Sequence, residues 1–294
     1  MGILLGLLTA VNWGGSDFLA RFATQKLGTL RTMLYMQLTG FILLSGALHW
    51  LGGWGHLFDG SGWHPWAWGV LAGTLNSFSS LTLYRSFEIG KLAVVAPLSA
   101  SYPALTLIFS WLGGEHLAAI RIAGMVSTLL GAVLVAAAEK KSEHLDIHGA
   151  LKTDPRHGKG IGWALCSVFG FGVLFWLLGA QVVPRLGAAP AVWMIRLTSA
   201  ILTTAILLLA RQPIKLPRGP ERKAVWGMGL LDTSAFVMSN RGMQLEQIAV
   251  VSVLGSLYGA VTFLLAAIFL REGVSRWQIA GVITIFVGII LIGR

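Results

Sequence analysis

Apolar runs of about 20 residues, nearly free of charge, follow one another along almost the whole chain, the length a helix needs to cross a hydrocarbon slab about 30 Å thick. The pattern predicts ten spanning helices, over 2–22, 31–51, 66–87, 91–112, 118–138, 160–181, 188–210, 224–243, 247–270 and 274–293. Two connections are long and polar, 139–159 and 211–223. Segment 52–65 lacks Lys and Arg, and Trp50, Trp54, Trp63, Trp66 and Trp68 lie in or beside it, which reads as an interfacial aromatic belt. The first run has no basic n-region and is interrupted by Asn12 and Asp17. It reads as a retained helix instead of a signal peptide.

The pattern also occurs twice. Residues 92–102 (LAVVAPLSASY) and 248–258 (IAVVSVLGSLY) align at an offset of 156, which places Asn76 opposite Asp232 and Arg85 opposite Arg241. The repeat relation also sets Gln37 against Arg196, there at an offset of 159. After a one-residue shift, 114–124 (GEHLAAIRIAG) matches 271–281 (REGVSRWQIAG), and Gly131 falls opposite Gly288. Such a duplication predicts two repeats, 1–138 and 160–294, joined by the polar linker 139–159. Five helices per repeat is an odd number, so the second copy enters the bilayer from the opposite side. The expected fold is an all-α membrane protein: ten transmembrane helices as two inverted five-helix repeats around a central cavity.

Composition narrows the classes further. Hydrophobic residues make up 55% and charged residues 12%, about half the charged share of an ordinary soluble domain. A net charge of +10 would suit nucleic acid, but the basic residues stand between apolar runs, so no nucleic-acid partner is expected. Of the 22 Lys and Arg, 17 fall in the connections after the odd-numbered helices; the positive-inside rule places that face inward and both termini outward. The lone Cys166 excludes an intrachain disulfide and a cysteine-based zinc site. His49, His56 and His64 fit no ligand spacing, so no metal is expected. There is no phosphate-binding P-loop and no convergent nucleophile, base or metal set, so neither a cofactor nor enzymatic activity is expected.

Chemistry is sought first where a charge sits inside a span, at a cost of roughly 2.5–3.5 kcal/mol near a helix centre. Asp17, Arg196 and Asp232 qualify. The planar fork of Arg196 suits a substrate carboxylate, and Asp17 or Asp232 suits an ammonium group or a coupling proton. The bland alternatives are neutralisation of Asp17 by Arg21 at i+4, and an Arg196–Asp232 pair that serves packing alone. Polar and aromatic positions on neighbouring stripes complete the candidate substrate-binding set: Asn12, Trp13, Asp17, Asn76, Ser80, Tyr84, Tyr102, Trp193, Arg196, Asp232, Ser256 and Tyr258. Pro97 and Pro103 are expected to loosen the fourth helix. The runs NWGGSD (12–17) and FGFG (169–172) read as soft spots or as close-packing surfaces. Glu115 and Glu272 read as acids at the starts of the helices that follow them.

Two strings resemble a known repeat. Tyr102-Pro103, Gly114-Glu115, Ile122-Ala123-Gly124 and Gly131 resemble the EamA repeat of the drug/metabolite transporter superfamily. Tyr258, Arg271-Glu272, Ile279-Ala280-Gly281 and Gly288 do so again. The resemblance spans nearly all 294 residues; one departure is Gly259, where the first copy has Pro103. It implies ten helices, a central cavity, and export or exchange of amino acids and related metabolites; some relatives carry sugars or nucleotide sugars. The expectation is a secondary active transporter in the cell (inner) membrane, a monomer or homodimer. It would export a small amino-acid-like substrate by alternating access, coupled to a proton or cation. The alternatives are an uptake carrier for sugars or quaternary amines, favoured by the Trp-rich interior, and a lipid scramblase or membrane-embedded enzyme.

Overall fold

The computed structural model describes residues 1–50, 53–113, 118–141, 159–245, 248–272, 274–292 and 294. The turn holding Glu115 and nearly all of the polar linker lie outside the described residues. Among the described residues, ten long helical segments follow one another. They are α1 (Gly2–Leu27), α2 (Thr29–Ala47), α3 (His64–Ile89), α4 (Leu92–Ser99 and Tyr102–Leu112), α5 (Ala119–Lys141), α6 (161–186), α7 (Ala188–Leu209), α8 (Pro220–Leu245), α9 (248–270) and α10 (Arg276–Ile292). Five of them, α1, α4, α6, α7 and α9, are long and apolar enough on those grounds alone to cross a membrane; α5 and α10 contain shorter apolar stretches. α3 and α8 are more polar because of what they turn inward. Asn76, Ser77, Ser79 and Ser80 are buried on one, and Asp232, Thr233, Ser239 and Asn240 on the other.

The two halves run in opposite directions, and small residues show it. On α5 and α10, Gly124 meets Gly288 while Gly131 meets Gly281, so the paired numbers rise on one helix as they fall on the other. The approach is backbone to backbone: a Cβ added at Gly124 would lie 2.7 Å from the Gly288 carbonyl oxygen. Glycine is what permits that proximity. α4 and α9 are also antiparallel, with Gly259 against Ala100 and the Tyr102 hydroxyl donating to the Ser252 carbonyl at 3.3 Å. So are α2 and α7, where Ser45 meets Trp193 and Gln37 meets Arg196. Each of these pairs joins a helix to its own counterpart in the other repeat. The remaining large interfaces obey the same exchange: α1 packs on α8 as α6 packs on α3, and α1 on α9 as α6 on α4.

α4 and α9 are interrupted at aligned places, Ala100–Ser101 and Leu257. Pro103 opens the second piece of α4, whereas Gly259 stands there in α9, so proline is not the shared cause. A serine stands at or beside each break: Ser101 donates to the Leu98 carbonyl at 2.7 Å and Ser256 to the Val253 carbonyl at 2.8 Å, although Ser86 and Ser167 make the same bond inside uninterrupted stretches of α3 and α6. The glycine runs behave differently from soft spots: α1 passes through 12–17 unbroken, and α6 departs from α geometry later, in a π-turn at Leu178–Val182. Gly14 and Gly172 are close-approach points. A Cβ would meet Val261 at 2.5 Å from Gly14 and Leu105 at 2.6 Å from Gly172, equivalent neighbours in the two halves.

Candidate functional site

Six helices, three from each repeat, line a small cavity of about 30 Å³ that is partly open to its surroundings. α1 supplies Trp13 and Asp17, α3 supplies Ser80, Leu83 and Tyr84, and α4 supplies Tyr102. From the second repeat, α6 supplies Phe171 and Phe175, α8 supplies Asp232 and Phe236, and α9 supplies Tyr258. The breaks in α4 and α9 fall beside Tyr102 and Tyr258, so each interrupted helix presents its aromatic ring where its ladder is weakest.

The walls are an aromatic box. Trp13 meets Phe175, Phe236 and Tyr258 edge to face, at centroid distances of 5.4, 5.2 and 6.1 Å. Phe175 stacks on Tyr102 at 4.7 Å and on Phe236 at 5.9 Å. These arrangements lock the rings against one another around one small volume.

Two carboxylates enter this box under opposite circumstances. Asp232 accepts a hydrogen bond from Arg196 Nη2 at 2.5 Å, and Arg196 Nη1 donates to Gln37 Oε1 at 2.8 Å. The guanidinium carbon stands 5.1 Å from the Phe236 ring centroid, so Arg196 lies behind the wall, fully buried. Asp17 is buried as well, and among the described residues its Oδ2 has no hydrogen-bond partner. Arg21, one turn further along α1, is directed elsewhere. It donates to the carbonyls of Phe87 and Gly90 and faces Glu272 at 3.4 Å. Among the described residues, no cation lines the cavity.

Arg21 and Glu272 meet one turn along α1 from Asp17. Arg21 caps the C-terminal carbonyls of α3, and Glu272 Oε2 accepts from the Ala93 N–H at the start of α4, at 2.9 Å. Each charge thus meets the helix terminus of opposite polarity. This corrects the expectation for Glu272: it serves the N-terminus of α4 in the other repeat, not the helix that follows it. The contact ties α1, the α3–α4 turn and the α9–α10 connection together, about 6 Å along α1 from Asp17 at 1.5 Å per residue.

Of the twelve residues singled out from the sequence, seven line the cavity: Trp13, Asp17, Ser80, Tyr84, Tyr102, Asp232 and Tyr258. Five stand elsewhere. Arg196 backs the wall; Asn12 donates to the Leu8 carbonyl at 2.8 Å on its own helix; Ser256 bonds the Val253 carbonyl. Asn76 donates to Ser199 Oγ at 3.2 Å between α3 and α7. Trp193 Nε1 donates to Ser45 Oγ at 2.8 Å and its ring packs on Phe41 and Trp54, at the belt end of the bundle. Leu83, Phe171, Phe175 and Phe236 line the cavity and were not in the set. The spacing of Phe171 and Phe175 puts them on one helix face, yet Phe169, two residues away, is 57% exposed on the outside. An inward and an outward Phe look alike in a span.

The profile of the EamA-like transporter family matches residues 1–137 and 158–294. No curated protein sequence matches the chain. A solved structure described only as a crystal structure of a protein is similar, with TM-score 0.68 and 21% identity over 99% of this chain and 95% of that one. At that identity the likeness shows the fold alone.

Proposed function

Because the chain belongs to the EamA-like transporter family, and so is a multi-pass membrane transporter of the drug/metabolite type, we propose that it carries a small organic cation by alternating access across the cell membrane. One observation supports this above the others: the unpartnered carboxylate oxygen of Asp17 inside a box of aromatic rings. An ammonium group against such rings gains about 0.5–2 kcal/mol from each well-placed face, more when water is excluded. The carboxylate supplies the opposite charge. The neighbouring Asp232 is already satisfied by Arg196.

The same geometry offers a coupling scheme. Asp17 can hold either a proton or the cargo's charge, and a site that holds one at a time exchanges them. An inward proton gradient then drives the cargo outward, which makes export the direction of net flux. The inverted repeat supplies the motion, one half rocking against the other so that the box faces each side in turn.

A zwitterionic cargo such as an amino acid is the second reading. Arg196 Nε has no hydrogen-bond partner among the described residues, and its guanidinium meets two residues that line the cavity, Asp232 and Phe236. This reading requires Arg196 to exchange Asp232 for a substrate carboxylate.

Thermal stabilisation of purified protein separates the two. Choline is expected to raise Tm, and its neutral carbon isostere 3,3-dimethylbutan-1-ol is not, since ligands stabilise the state they bind. Asp17→Asn should remove the choline effect without lowering the Tm of the unliganded protein. Stabilisation by L-phenylalanine with none by choline would favour the zwitterionic reading, and equal stabilisation by choline and its isostere would remove Asp17 from the site.

A further inference from the structure

We propose that Arg196, from behind the cavity wall, restricts the cargo to a single positive charge. The inference rests on the cation reading above and names the residue that sets how many charges the site accepts.

The argument is one of fixed charge. Asp17 and Asp232 line the same cavity, and left to themselves they would make a site for two positive charges. Arg196 cancels one of them through its 2.5 Å contact with Asp232. It cannot easily retreat. Gln37 holds its other terminal nitrogen at 2.8 Å, and α2 presses on the side chain from behind, where a Cβ at Gly40 would lie 3.0 Å from Arg196 Cδ and Nε. The guanidinium is therefore clamped onto Asp232 and stands 5.1 Å from the ring of Phe236, which lines the cavity while Arg196 does not.

The duplication indicates that this is a built asymmetry. The counterparts of Arg196 and Asp232 in the first repeat are the neutral amides Gln37 and Asn76. The second repeat thus contributes one balanced pair, the first contributes Asp17 alone, and the box is left with one uncompensated carboxylate. A monocation neutralises it. A dication brings a second charge into a low-dielectric enclosure where it has no partner.

The test uses two probes of nearly equal shape. Tetramethylene-bis(trimethylammonium) carries two charges; (5,5-dimethylhexyl)trimethylammonium replaces one nitrogen by carbon and carries one. Competition binding to wild-type protein is expected to favour the monocation. Arg196→Gln exposes the second carboxylate and should shift the ratio toward the dication by roughly tenfold or more. Arg196→Lys, which keeps the charge, should retain the wild-type preference. Combining Arg196→Gln with Asp17→Asn restores one negative charge and should restore the monocation preference, a recovery that damage to the fold does not produce. Should Arg196→Gln fail to fold, Gln37→Glu adds a carboxylate against Arg196 in a side chain of the same size and should move the preference in the same direction. Wild-type binding of the monocation with no shift in either Arg196→Gln or Gln37→Glu overturns the charge filter and leaves the cation reading standing. Wild-type protein that binds neither probe overturns the cation reading, and the filter with it.

Discussion

Trp13 touches three of the rings that enclose the cavity and stands on the same helix as Asp17, so the box and its charge are presented by one stretch of α1. Trp13→Leu keeps an apolar side chain and removes the π-face. Affinity for choline should fall roughly 3- to 30-fold, the equivalent of about 0.5–2 kcal/mol, while the weak affinity for the neutral isostere stays the same. Titration calorimetry reads both. Asp17 is the opposite kind of residue, a buried carboxylate whose Oδ2 has no hydrogen-bond partner among the described residues, and so it opposes stability. Asp17→Asn should therefore match or exceed the wild-type Tm in detergent while choline protection disappears. Asp17, Arg196 and Asp232 were legible in the sequence because a charge within a span is rare enough to need a reason. Phe171 and Phe175 were not, because apolar side chains satisfy both the lipid and the interior.

Among the helices, α5 and α10 lie outside the cavity-lining set, and their antiparallel glycine faces pack backbone on backbone. A Cβ at Gly281 would stand 2.7 Å from Val135 Cγ2 and 3.0 Å from the Gly131 carbonyl oxygen, so Gly281→Leu must push the pair apart. Overpacking of this kind costs about 1–3 kcal/mol, and more where the obstacle is backbone. The expected result is a lower Tm with cargo affinity unchanged in the protein that remains folded. Gly162 is the control: no atom stands within 4 Å of its would-be Cβ, and Gly162→Ala should leave Tm unchanged or raise it, alanine being the better helix former. The breaks in α4 and α9 carry a further lesson at this scale. Pro103 drew attention to the right place, but the aligned break beside Gly259 shows that a proline at that position is not required.

For the whole molecule, alternating access requires that contacts between the repeats break at one end of the cavity while others form at the opposite end. The Arg21–Glu272 contact binds α1 and the α3–α4 turn to the connection after α9, and under the proposed alternating access it is a candidate for such a joint. Glu272→Gln weakens it with little change of shape. In a Cys166→Ser background, a cysteine placed at Ser80 on the cavity wall should react faster with a membrane-impermeant maleimide when Glu272→Gln is present. The increase is expected only from the face that bears the basic connections; an unchanged rate would mean that this contact is no barrier. The sequence by itself determined the helical class, the duplication and the inversion. Those are one-dimensional quantities: run length against slab thickness, a constant offset, and an odd number of helices. Only the tertiary structure decided that Arg196 would be held by Asp232 and Gln37 and leave Asp17 alone, that Glu272 would cap a helix of the other repeat, and which Phe side chains would turn inward. Each of those outcomes depends on which helix faces meet, and residues far apart in the chain make that choice through packing.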